Sequence, residues 1–123
     1  MSTITEILSI DDSRAVHAFL DRCVESTSYK LTHAMGAKEG LEKIKNSSQP
    51  FSLILLDWEM PEITGPEALD LFKAEGITTP VIMLTSKNDL TDISAMLEKG
   101  AKEYILKPFT PDIILEKIQS VIG

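Results

Sequence analysis

Asp57 closes an apolar run from Phe51 to Leu56, and Asp11 and Asp12 follow a second run from Glu6 to Ile10. A third, Tyr104 to Leu106, ends in Lys107 and Pro108. Short apolar runs bounded by turn residues read as buried strands, so three acids and a lysine leave strand ends. In open parallel sheets ligands bind beyond the carboxyl ends of the strands. The four groups are therefore expected to converge on one crevice, with the Asp57 side chain facing water there. Two carboxylates ~4 Å apart repel by about 4 kcal/mol at an effective dielectric of roughly 20, and a third acid worsens this. Such a cluster should prefer a divalent cation. An all-oxygen site with few protein ligands suits Mg²⁺, which keeps several of its waters.

The elements that must position these groups form one alternation repeated along the chain. Strand-like runs stand near 6–10, 29–34, 52–57, 80–84 and 103–107, each followed by a helical pattern. The first helix should start at Asp12 or Ser13 and bury Val16, Phe19, Leu20, Cys23 and Val24. The second uses Leu41 and Ile44. The third begins near Thr64 to Glu67, with Pro66 in the first turn and Gly76 as a stop, and buries Leu69 and Phe72. The fourth, Leu90 to Lys99, carries Leu90, Ile93, Met96 and Leu97, and the fifth, from Pro111, carries Ile114, Leu115, Ile118 and Ile122. Strands such as Leu53–Leu56 and Val81–Leu84 are apolar on both faces, which fits a parallel sheet covered by helices on both sides.

Composition narrows the function classes. A chain of 123 residues, 43% of them hydrophobic, suits one domain with a single folded core. Twelve Lys and Arg spread among nineteen acids, for a formal charge of −7, leave no basic stripe to displace phosphate counterions, which argues against nucleic acid. The opening residues hold no basic region or long apolar run, and no run approaches the ~18 residues of a membrane span, so a cytoplasmic chain is expected. Cys23 is the one cysteine and reads as a reduced core thiol on the first helix.

Taken together and in order, these residues resemble the response-regulator receiver domain, and within that family its single-domain, CheY-like members of chemotaxis type. The likeness covers the whole chain. It rests on Asp11 and Asp12, on Asp57, Trp58, Glu59, Met60 and Pro61 with Gly65 following, on Thr85 and Ser86, and on Tyr104 with Lys107, Pro108, Phe109 and Thr110. It implies one receiver domain over residues 1–123 with a flavodoxin-like doubly wound α/β fold, a five-stranded parallel sheet of order 2-1-3-4-5 and five helices. It also implies roles: Asp57 as phosphoacceptor, Asp11, Asp12, Asp57 and the backbone carbonyl of Glu59 as Mg²⁺ ligands, Thr85 and Lys107 on the phosphoryl group, Thr85 and Tyr104 as a switch. The Lys107–Pro108 peptide would be cis.

Such a site would let an Asp57 oxygen attack phosphorus in line, with charge on the equatorial oxygens shared by the cation, Lys107 and Thr85, and would leave an acyl phosphate that water can cleave. The resemblance implies a phosphohistidine donor on a sensor histidine kinase or phosphotransfer protein. The output would be altered binding of a downstream protein, through the face made by the fourth helix, fifth strand and fifth helix, or onward phosphotransfer. The chain is expected to act as a monomer, bearing no output domain and binding neither nucleic acid nor membrane.

Duller readings stand beside these. Asp12 can simply cap the first helix, Lys107 can be a solvated strand-end lysine, and Tyr104 can be plain strand packing. Trp58 reads as a partly exposed cover beside the site, and His17 and His33 as surface residues rather than metal ligands. Glu59 and Lys87 could pair across the mouth of the site or stay separately solvated. A haloacid-dehalogenase-type hydrolase also attacks phosphate with a strand-end Asp, but needs a second Asp where this chain has Glu59. A flavodoxin-like electron carrier needs a hydroxyl-rich loop where this chain has Asp11, Asp12, Ser13 and Arg14. A phosphorylation-independent binding scaffold is a third alternative, disfavoured by the full set of acids, Thr85 and Lys107.

Overall fold

A computed structural model describes residues 4–122, so the domain limits expected at 1 and 123 fall outside the described residues. The chain alternates strand and helix throughout: β1 Thr5–Ile10, α1 Arg14–Val24, β2 Tyr29–Ala34, α2 Ala37–Asn46, β3 Leu53–Asp57, α3 Gly65–Ala74, β4 Val81–Thr85, α4 Leu90–Glu98, β5 Glu103–Leu106 and α5 Pro111–Ile122. All strand pairs are parallel, in the order β2-β1-β3-β4-β5. This is the doubly wound sheet the resemblance implies, with its order reversing between β1 and β3.

The two-residue period of a strand divides the core into two layers. Ile54 and Leu56 of β3 join Leu8, Ile10 and Met83 under Ala37, Leu69, Phe72, Ile93 and Met96 of α2, α3 and α4. Leu53 and Leu55 face the other way with Ile7, Ile82, Leu84 and Ile105, under Leu20, Cys23 and Val24 of α1 and Ile114 and Ile118 of α5. Burial on both faces explains why β3 and β4 are apolar without alternation. Each fully buried Leu or Ile contributes roughly 1.5–3 kcal/mol, and Leu55→Ala would cost about 2–5 kcal/mol because the close-packed surroundings cannot collapse into the gap.

Local chemistry sets the helix ends nearest the site. Ser13, not Asp12, caps α1, its side chain accepting from Val16 N–H at 3.3 Å. Thr64 and Glu67 form a reciprocal capping box at α3, and the bonds that Thr64 N–H and Oγ1 donate to Glu67 Oε1 hold the Glu67 carboxyl below its ordinary value. Pro66 lies in the first turn of α3, and Gly76, at φ 77°, takes the left-handed conformation that stops it. The Lys107–Pro108 peptide is cis, as expected.

Several expectations need correction. Val16 and Phe19 are only half-buried, because the buried stripe of α1 runs through His17, Leu20, Cys23 and Val24. His17 is thus a core residue, not a surface one. On α4 only Ile93 and Met96 are buried, while Leu90 is 78% and Leu97 41% exposed, since one short helix over a sheet edge can bury a single narrow face.

Candidate functional site

Register brings the chemistry-bearing residues to one rim. β1 pairs Ile10 with Leu56 of β3, so Asp11 and Asp57 leave the sheet side by side. β4 lies beyond β3, with Asp57 opposite Leu84, and β5 pairs Leu106 with Thr85, which sets Lys107 one step past it. Backbone bonds carry the ladder over the edge: Asp11 N–H donates to Ala34 O at 3.0 Å, Trp58 N–H to Leu84 O at 3.0 Å and Lys107 N–H to Thr85 O at 2.8 Å. The turns that follow are therefore held by the sheet itself.

At that rim a carboxylate oxygen from each of Asp11, Asp12 and Asp57 lies within 4.8 Å of the others. Asp11 and Asp57 are 1% and 2% exposed, and Asp12 is exposed. Asp57 was expected to face water; it lies instead beneath Lys107, whose Nζ stands 2.7 Å from Asp57 Oδ1. The Asp57 carboxylate is buried and met by an ammonium. Lys107 is thus no solvated lysine. Its ammonium is also 3.7 Å from Asp11 Oδ2, which is too far for a hydrogen bond.

Burial dominates the electrostatics. It pushes the Asp57 carboxyl above its ordinary value, against the Lys107 hydrogen bond, and the charge of Asp11 pushes the same way. Asp11 is likewise raised by burial, against the Ser13 N–H bond and the Lys107 charge. For Lys107, burial favours the neutral amine, but the bond and charge of Asp57 with the charges of Asp11 and Glu59 outweigh it and hold the ammonium above its ordinary value. Two buried acids and one lysine leave the site short of positive charge.

The donor set fits a hard cation. Asp11 Oδ1 accepts from Ser13 N–H at 2.8 Å, whereas Asp11 Oδ2 is buried without a hydrogen-bond partner. An unpartnered buried carboxylate oxygen beside two further carboxylates could serve as a ligand to a hard cation, and an oxygen-only set suits Mg²⁺.

The remaining expected residues border this cluster. Thr85 is buried at the end of β4, its Oγ1 accepting from Lys87 N–H at 2.9 Å. Tyr104 is half-buried against the core beneath α2, α3 and α4, with Lys117 Nζ 5.9 Å from its ring centroid. The pairing of Glu59 with Lys87 does not form. Glu59 Oε1 instead accepts from Ser86 Oγ at 3.1 Å, and Lys87 Nζ lies 5.7 Å from the centroid of the half-buried Trp58 ring. The lysine lies within cation–π reach of an aromatic face, and the acid is taken by a neighbouring hydroxyl.

Two residues escaped the sequence reading. His17 Nε2 lies 2.8 Å from the Asp11 carbonyl oxygen and Nδ1 lies 3.2 Å from Ser9 Oγ. A signal existed for each: Ser9 is a lone hydroxyl inside an apolar strand, and His17 is in helical step with Leu20 and Val24.

A family model described as the response regulator receiver domain matches residues 7–119. The response regulator ArlR of Staphylococcus saprophyticus is 34% identical over 97% of this chain, which spans about half, 53%, of that relative's length. A chemotaxis protein CheY homolog of Campylobacter jejuni is 30% identical over 96% of this chain and 92% of its own. Among solved structures, chemotaxis response regulator CheY4 of Vibrio cholerae superposes with a TM-score of 0.88 at 26% identity, covering 97% of this chain and 99% of that one. A CheY-like receiver domain from Methanospirillum hungatei gives 0.84 at 33% identity, covering 96% and 93%.

Proposed function

This chain belongs to the response regulator receiver domain family, and we propose that it accepts a phosphoryl group on Asp57 and passes the signal on by changing its affinity for another protein. The observation that carries this reading is the meeting of Asp57 with Asp11, Asp12 and Lys107 at the sheet's rim. Asp57 is the one acid of the three in hydrogen-bond contact with the lysine, which supports its assignment as the nucleophile. The donor would be a phosphohistidine on a sensor histidine kinase or a phosphotransfer protein.

Asp11, Asp12 and Asp57, with the backbone carbonyl of Glu59, would hold Mg²⁺, which neutralises the carboxylates and draws charge from the phosphoryl oxygens when bound. Lys107 would slide from the Asp57 oxygen to a phosphoryl oxygen as that carboxylate forms its O–P bond, the donor's N–P bond breaks to release its imidazole, and the mixed anhydride of an acyl phosphate results. The Thr85 hydroxyl would turn to another, giving up its bond from Lys87 N–H. No general acid or base stands where a hydrolase of strand-end Asp type needs one, because Glu59 points its carboxylate to Ser86. The chain would therefore assist its own phosphorylation and slow hydrolysis rather than turn over a separate substrate.

The output face would be α4, β5 and α5. Leu90 and Leu97 on α4, Leu106 on β5 and Ile113 on α5 are exposed there, an apolar display on elements flanking Thr85 and Tyr104. Movement of the loop after β4 toward the phosphoryl group, with Tyr104 repacking beside it, would shift a pre-existing equilibrium of that face. The domain would act as a monomer in the cytoplasm.

Incubation with MgCl₂ and a small acyl-phosphate donor tests the reading by intact mass. A stable gain of one phosphoryl group, absent in Asp57→Asn, is expected. Catalytic consumption of the donor without a phosphoprotein would support a hydrolase instead, and an unmodified chain with an unchanged donor would leave only a binding scaffold.

A further inference from the structure

Asp11 is held at every polar atom but one. Its N–H donates to Ala34 O at 3.0 Å and its Oδ1 accepts from Ser13 N–H at 2.8 Å. Its carbonyl oxygen accepts from His17 Nε2 at 2.8 Å, and only Oδ2 has no hydrogen-bond partner. The first two bonds come from backbone and would form with almost any side chains around them. The third comes from a side chain, that of a core histidine only 5% exposed.

The acceptor dictates which ring nitrogen donates. A carbonyl oxygen carries no proton, so Nε2 must be the donor. In the neutral ring Nδ1 is then an acceptor, and the hydroxyl of Ser9, itself fully buried in β1, is the donor that meets it at 3.2 Å. Ser9 can serve because strand periodicity puts it on the same sheet face as Ile7, toward α1. On its outer side the His17 ring packs against His33, centroids 4.2 Å apart, and His33 Nε2 meets Asp21 Oδ1 at 2.8 Å. The imidazole is therefore held in rotation and from behind, and in its neutral form these partners select the Nε2–H tautomer.

We propose that His17, oriented by Ser9, is a positioning residue for the cation site: it pins the Asp11 carbonyl so that the free carboxylate oxygen stays aimed at Asp12 and Asp57. The inference rests on the reading of Asp11 as a cation ligand. Groups that orient metal ligands in this way commonly govern metal affinity by ten- to a hundredfold, without touching the metal. In this chain the brace is assembled from β1 and α1, the same two elements whose junction carries Asp11 and Asp12.

Two amide substitutions separate positioning from packing, because they differ in reach. The side-chain nitrogen of Gln falls near the place of imidazole Nε2, whereas that of Asn reaches only the place of Nδ1. Mg²⁺ affinity is measured on the purified chain from Trp58 fluorescence during MgCl₂ titration, with thermal unfolding recorded in EDTA for each variant. His17→Gln should bind Mg²⁺ within about twofold of wild type and His17→Asn about tenfold more weakly. In wild type, long-range ¹H–¹⁵N correlation should show a protonated Nε2 and a proton-free Nδ1 at His17. Equal Mg²⁺ affinity in folded His17→Asn and wild type, or the opposite tautomer in wild type, would overturn the positioning role while leaving the cation site standing. Should His17→Asn not fold, the tautomer and the His17→Gln affinity decide. Failure of the wild-type chain to bind Mg²⁺ at all would instead overturn the cation site itself, and this role with it.

Discussion

Lys107 Nζ stands 2.7 Å from Asp57 Oδ1, joining residues fifty apart in the chain across the ends of β5 and β3. The ammonium compensates one buried carboxylate, while Asp11, also buried, has an oxygen with no partner. The site thus carries an uncompensated acid whose relief by a cation should be measurable as binding and as stability.

Mg²⁺ should stabilise the fold through linkage. At a concentration a hundred times its dissociation constant it would add about 2.7 kcal/mol. Asp12→Ala, which removes the exposed member of the acid cluster, should abolish both that gain and the Trp58 fluorescence change on titration. An unchanged titration curve in Asp12→Ala would show that this acid only lies beside α1.

Without metal, stability should depend on pH through Asp11. Burial holds its folded carboxyl above the ordinary value of 3.8, so the folded chain binds the proton more tightly than the unfolded one. Stability from this group is then fully present below pH 3.8 and is lost as pH rises through the raised folded value. Asp11→Asn should match wild type at the acid end and exceed it at neutral pH by on the order of 1–3 kcal/mol, because no charge remains buried beside an unmet oxygen. Urea unfolding in EDTA across that range checks this, and a constant difference would refute it.

Lys107→Ala should keep the fold and still accept a phosphoryl group on Asp57, since the nucleophile and the acid cluster remain. The partner-binding response to a phosphate mimic such as beryllofluoride should be lost, because the proposed link from phosphoryl group to β5 is gone. A full response in the variant would remove Lys107 from the signalling path.

Gly65 stands where no side chain fits. A Cβ there would lie 2.7 Å from the Asp57 carbonyl oxygen and 2.8 Å from Trp58 Cα, both backbone atoms that cannot step aside. Gly65→Ala should therefore displace the turn after β3, costing roughly 1–3 kcal/mol of stability and weakening Mg²⁺ binding together. Gly36→Ala, where nothing lies within 4 Å, serves as control and should leave Mg²⁺ affinity unchanged. Equal affinities for the two variants would count against a rigid Asp57 turn.

Lys87→Glu should alter Trp58 emission, since the ammonium now 5.7 Å from the ring centroid would be replaced by an acid. Because Glu59 is bonded to Ser86 rather than to Lys87, the salt dependence of phosphoryl loss from Asp57 should stay as in wild type. A salt dependence that disappears in Lys87→Glu would mean the two side chains do pair once the phosphoryl group is present.

Local pattern was enough for much of this protein. Apolar runs bounded by turn residues locate β1, β3 and β5, and the acids and lysine that follow them must emerge at one end of a parallel sheet, since parallel strands share direction. Ser13, Thr64 and Gly76 mark helix ends through side-chain and backbone preferences that act within a few residues. What only the tertiary structure decided depends on distances between segments remote in the chain. The Lys107 ammonium meets Asp57 from the end of a strand remote in sequence, and the Asp57 carboxylate is buried rather than facing water. Ser86 and Trp58 claim the two side chains that charge alone would have paired. The packing of α1 on β1 makes His17 a core donor to the Asp11 carbonyl, because helical step can place a residue on the buried stripe but cannot say which atom waits beneath it.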